Sequence, residues 1–523
     1  MFVLLRGVAM LLMALARRLP RPRNTMARLA LANIHRPGAL TPTAFSALDA
    51  TQTAALTTTQ IKGLTATQLK GLTTTDIGEL GDTQVGALSA VQLGALTATG
   101  FSALNETQVA ALSSTQIKGL TATQIKGLTT TDIGELADTQ VAALSADQIK
   151  NLAADNVSAL SQTQIAALSN TQVQALSTTQ LKGLTTTDID ELSATQVGAL
   201  SAAQISALAS TQVQELSTTQ IGGLSSTQIG AITATNFSLL DATQFGALTS
   251  TQLKGLTNSQ LAALNTTNVA NLADTQVAAL SASQLGALNA TNFSALDATQ
   301  VAAITETQIK GVTATQLKAL TTTDVGELAT TQLAALSAAQ IGALSETNVS
   351  ALDATQFGAL SVTQVKGLTA TQIKGLSTTD VAELASTQIS ALTADQIKNL
   401  SSTNLSALDA TQTAALTVTQ LKGLTNTQLG GLTTTDISDL ADTQIAALSS
   451  AQITALNVQD LTTTQISGLS STVIGAIGWP TPKWLRCLRP SWARSRPRAS
   501  RRWTPPRWRR CRALRSRGSP PPS

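Results

Sequence analysis

The sequence predicts an all-α solenoid of very short helices, one per eight-residue repeat. Three observations lead there. One column recurs every eighth residue from Gln52 to Asp460 without a break, which is 52 units in a single phase. The large apolar residues of each unit are spaced three and five apart, as in Leu120, Ile125 and Leu128. A Ser or Thr followed three residues later by Gln or Asp stands in most units, as in Thr121 and Gln124.

The spacing excludes both long elements. Odd separations throw the apolar residues of a continuous strand onto opposite faces. A continuous helix advancing about 100° per residue drifts by roughly 80° in each octad and keeps no apolar stripe. The chain must therefore turn once per unit.

The same residues say where a helix starts and stops. Ser/Thr-x-x-Gln is a capping box, in which the hydroxyl accepts from the N3 amide and the N3 side chain reaches back to the N-cap. Leu120 before the cap and Ile125 after N3 form the hydrophobic staple that accompanies it. Gly63, Gly71, Gly119 and Gly127 at the end of their units are expected to act as helix stops, although Ala stands there in other copies. Each unit then reads as a helix of about six residues, roughly 9 Å long. Helices this short do not repay their nucleation alone, so stacked neighbours must bury the Ile/Leu pair and stability accrues unit by unit. A β-solenoid with threonine ladders is the alternative fold.

A longer period lies on the octad. Thr-Thr-Thr-Asp blocks, Ser-Thr-Thr-Asp at one site, place Asp at 76, 132, 188, 324, 380 and 436. Successive blocks stand seven octads apart, except for a central gap of seventeen. Units with Phe45, Phe101, Val157, Phe237, Phe293, Val349 and Leu405 keep the same beat. Duplication of a seven-octad block is the favoured explanation; a feature presented once per superhelical turn is the functional one.

Three segments follow: a basic and apolar leader over 1–40, the repeat array over 41–478, and a basic tail over 479–523. The leader carries seven Arg and no acid, the tail thirteen Arg and Lys483 and no acid. The leader reads either as a short signal peptide ending at Ala14-Leu15-Ala16 or as a misassigned start with Met26 as the alternative. The tail is expected to be a frameshifted, disordered reading of further repeats. Pro506 to Cys511 can be encoded by codons that, moved by one base, read Gln-Val-Ala-Ala-Leu, a repeat core.

The net charge of +4 thus averages basic ends with an acidic middle that has thirteen Lys, thirty acids and no Arg. Such an array is a poor phosphate binder, so no nucleic acid is expected on it. His35 is the one imidazole and lies outside the array, and both Cys and all five Trp are in the tail. No catalytic residue, cofactor-binding residue or metal ligand is expected. Asp76 with Glu79, and Asp132 with Glu135, read as N3 capping acids with surface charges. The apolar run Gly7 to Met13 is too short to span a bilayer.

The Ala-Leu-Thr/Ser-x-Thr-Gln-Ile/Val octads of residues 41–478 resemble low-complexity arrays of large bacterial surface or exported proteins of adhesin type. The resemblance rests on composition and period. It implies a non-enzymatic spacer or display scaffold at the cell surface or outside the cell, with an unidentified protein or surface ligand as partner; a cytoplasmic location stays open. An ice- or crystal-binding array is the first alternative, suggested by triplets such as Thr121-Ala122-Thr123. A peptide-binding solenoid is the second.

Overall fold

The computed structural model describes residues 45–477. Among them the chain forms 53 short α-helices and no strand, with a helix in every octad, so the structure is an all-α solenoid and not the β-solenoid alternative. The leader and tail readings fall outside the described residues.

Each helix is four to six residues long because its start signals recur every eight. In Ala122–Gly127, Thr121 is the extended N-cap, its hydroxyl accepts from the Gln124 amide, and the Gln124 side chain accepts from the Thr121 amide. Leu128 then turns extended, with ψ near 142°, and the next cap follows at Thr129. The helix closes with a bond from the Leu128 N–H to the Ile125 carbonyl, the tighter i→i−3 pattern common at helix ends.

The expected glycine stops work differently. Gly63 and Gly71 end their helices at φ −82° and −90°, in the right-handed region, so no left-handed cap is made. The extended Leu-Ser/Thr pair makes the turn, which is why Ala serves equally well. Some glycines instead permit close approach of neighbouring coils, as at Gly255, where a Cβ would lie 2.1 Å from the Ser226 carbonyl oxygen.

Each helix packs on the third one along, as Ala394–Asn399 does on Val418–Gly423. Side chains reach farther: Gln124 Nε2 donates to Leu93 O at 2.8 Å and to Leu96 O at 3.0 Å, residues 31 and 28 positions back. Shorter links span 25 positions, as from Thr107 Oγ1 to Asp82 Oδ1 at 3.1 Å. Contacts between coils therefore centre on a separation of 28 positions, or three and a half octads per turn. This corrects the once-per-turn expectation. A period of seven octads is two turns, so the Asp blocks recur on every second coil. The octad phase slips by a three-residue deletion at Asp460–Leu461, a 3-10 turn stands there at Val458–Asp460, and Gln465 beyond it reaches back 28 and 25 positions.

The staple residues line one continuous apolar core from Phe45 to Val473. Ile125 is fully buried and Leu120 nearly so. Such side chains contribute about 1.5–3 kcal/mol each when fully buried. Phe237 and Phe245, in successive units, meet edge to face with ring centres 5.3 Å apart.

Candidate functional site: the buried N3 column

The N3 residue of each unit forms the most chemically specific feature of the wall. Its glutamines are nearly all buried, although glutamine is mostly a surface residue. Burial is tolerated because each amide is satisfied at both ends. Gln180 Oε1 accepts from the Ser177 N–H at 2.7 Å, while its Nε2 donates to Ile149 O at 2.8 Å and Leu152 O at 2.9 Å. One side chain thus caps the N-terminus of its own helix and the open carbonyls of a helix in the preceding coil. The capping half of this was expected from the sequence; the bond between coils was not. Its signal is the preference for Gln over Glu, since only the amide has protons to donate.

Asparagine does less. Asn156, Asn236, Asn292, Asn348 and Asn404 each donate to the carbonyl 28 positions back, and their side chains accept nothing from their N-cap amides.

Aspartate in the column cannot donate at all, and the sequence compensates. Asp188 Oδ2 accepts from the Thr185 N–H at 2.7 Å and from Ser158 Oγ at 2.6 Å. A serine at the same place, 30 positions earlier, serves Asp76, Asp132 and Asp380 through Ser46, Ser102 and Ser350, at 2.5–2.6 Å. Ser294 serves Asp324 likewise. Ser238 shows the converse. The residue 30 positions on is Asn268, and Ser238 turns to Thr235 O of its own helix. At the last block Ser406 turns to Gly431 O, and a cavity of about 10 Å³ beside Asp436 and Thr413 is large enough for one water. Replacing Ser158 by Ala is expected to destabilise by about 1–3 kcal/mol, the cost of a lost donor to a buried carboxylate. Ser238→Ala should be near neutral. Equal midpoints of thermal unfolding for the two variants would refute the pairing.

The carboxylates three residues on are only partly surface charges. Asp76 and Asp132 do cap, through Thr73 N and Thr129 N, but both are buried. Glu135 and Glu383 are half-buried, and one oxygen of each is enclosed without a hydrogen-bond partner. Burial holds the Glu135 carboxyl above its ordinary pKa, with Asp132 and Glu106 adding to the shift. Burial does the same at Glu383, helped by Asp380 and Asp353. A folded-state pKa above the unfolded value means that the folded chain holds the proton more tightly, so ionisation costs stability as pH rises through that window. Glu383→Gln is therefore expected to raise the melting temperature at pH 7.5 and to lose that advantage near pH 4. A variant equally stabilised at both pH values would contradict this.

Among the described residues no three His, Cys, Asp or Glu side chains are grouped to hold a metal ion, and no helix is long and apolar enough to cross a membrane. The N3 column joins coil to coil, and its glutamine amides are occupied in doing so. No protein-family model matches this tandem octapeptide array, and no curated protein matches it.

Proposed function

We propose that the chain is a non-enzymatic structural or adhesive repeat protein, a spacer and display scaffold exposed at the cell surface. The observation that carries this reading is the uniformity of the wall. From Gln84 to Gln452 the glutamine bonds repeat coil after coil, broken only where Asn, Asp or, at Gly100, Gly substitutes. The chemistry of the column is spent on stacking. At three and a half octads per turn the described residues make about 15 coils, and helices packed roughly 8–10 Å apart give a rod of roughly 120–150 Å. A rod that grows by identical increments suits spacing and display, because its length is set by repeat number and its stability by nearest neighbours.

The alternatives have less support. The ice-binding reading called for extended strands with flat threonine ladders, and the described residues form helices. The peptide-binding reading calls for aromatic or apolar anchors on the surface. The large apolar side chains exposed among the described residues, Val91, Leu239, Val362, Val418 and Ile474, stand at least 56 positions apart, so no two fall on adjoining coils.

Protease shaving of intact source cells, followed by antibody detection of the array, tests the proposal. Loss of the array from intact cells is the expected outcome. An array that stays protected until the cells are lysed would sink the surface reading.

A further inference from the structure

The coil of 28 positions sorts the charges of the array. Divided by 28, the positions of all thirteen array lysines leave remainders between 2 and 14. Apart from the six aspartates of the Thr-Thr-Thr-Asp and Ser-Thr-Thr-Asp blocks, twenty of the other twenty-four acids leave remainders between 15 and 26. Asp147, Glu346, Asp395 and Asp460 are the exceptions. Lysines and acids therefore sit about half a turn apart on coil after coil. Every one of these lysines is exposed.

The central break in the long period leaves this arrangement intact. Before it, lysines such as Lys62, Lys150 and Lys126 leave remainders of 6, 10 and 14, and Asp76, Glu79 and Asp82 leave 20, 23 and 26. After it, Lys310, Lys398 and Lys318 leave 2, 6 and 10, while Asp436, Asp439 and Asp442 leave 16, 19 and 22. Both ladders have moved by the same four positions and stay opposed.

We propose that this polarised rod associates side by side with further copies of the chain, the lysine face of one copy on the acidic face of the next. Three features favour a second copy as the partner. Both ladders share the seven-octad step, as in Lys254, Lys310, Lys366 and Lys422 on one side and Glu79, Glu135 and Glu191 on the other. A second copy is thus matched in sign and in pitch. The central break admits one full-length register, since a stagger of one period mispairs the charges across it. The two faces are also different surfaces, so the contact is heterologous and leaves a free face on each side, and it propagates into a layer or bundle instead of closing as a dimer. Single exposed ion pairs are weak and screened by salt, so the association depends on many aligned pairs and on ionic strength. The inference goes beyond the scaffold reading and is tested on purified chain, where cellular location does not enter.

The test is sedimentation velocity of the full chain at 20 mM and 500 mM NaCl, beside a variant with all thirteen array lysines changed to Gln and residues 479–523 untouched. Expected are species several-fold heavier than the monomer at low salt, growing with concentration, monomer at high salt, and monomer under both conditions for the variant. Circular dichroism confirms that the variant keeps its helix. Association of the variant as strong as that of the parent would assign the effect to the basic tail and overturn the proposal. A monomeric parent at low salt would overturn it too. So would a monomer that sediments with phosphatidylserine vesicles in a lysine-dependent way, which would make the lysine face a reader of anionic surfaces.

Discussion

Gln212→Glu is expected to destabilise the centre of the array by about 3–5 kcal/mol, the range seen when a buried ion pair loses one partner, since here too a buried charge is left uncompensated. Gln212 is 2% exposed, so the change is made inside the wall. Its Oε1 accepts from the Ala209 N–H at 2.8 Å, and its Nε2 donates to Leu181 O at 2.8 Å and Leu184 O at 2.7 Å. A glutamate keeps the shape and the acceptor, loses both donors, and sets a carboxylate oxygen against two carbonyl oxygens. Ala209 has no side chain able to cap, so no neighbour takes over the role. Because coils contact their near neighbours, the damage should be local. Amide exchange should accelerate around Leu181 to Leu216 before the rest of the array melts. Gln214→Glu, the same chemical change on an exposed side chain two residues on, should fall within about 0.5 kcal/mol of the parent. Acid should partly rescue the first variant, since protonation restores one donor. Unchanged exchange in those coils would refute the cross-coil role of the column.

That experiment also marks what the sequence discloses. The helix per octad, its N-cap, the staple residues and the core are legible locally, because cap, N3 and N4 lie within five residues of one another. The partner of Gln212 is not, since the carbonyls of Leu181 and Leu184 belong to the preceding coil and only the pitch identifies them. The pitch itself was hidden: three and a half octads make a turn, so no single unit betrays it. Two long-range signals were nonetheless present. The seven-octad block period is twice the coil, and Ser46, Ser102, Ser158, Ser294 and Ser350 each stand 30 positions before a column aspartate. The glycines misled because their usual meaning is local conformation, while here some of them answer to a neighbouring coil.

Gly311→Ala tests that last point and should cost about 1–3 kcal/mol, the usual penalty for overpacking a close contact. A Cβ on Gly311 would lie 2.1 Å from the Ala282 carbonyl oxygen and 2.5 Å from its carbon, both backbone atoms of the adjoining coil. A flexible side chain could swing away from such an intrusion; a coil held by its own helix bonds and by Gln308 Nε2 on Leu280 O must shift as a unit. Gly286, in the same helix as Ala282, adds to the constraint, because a Cβ there would approach the Gly311 carbonyl oxygen to 2.4 Å, so the two coils are in close register at this point. Gly134→Ala provides the opposite sign. Nothing lies within 4 Å of the added methyl, the residue is helical, and alanine loses less backbone entropy on folding. Its expected effect is a gain of about 0.4–1 kcal/mol. If an added methyl acted only through backbone entropy, both substitutions would be stabilising. Opposite signs in the thermal midpoints, with exchange accelerated around Ala282 in the first variant alone, would assign these glycines to the packing of coil on coil.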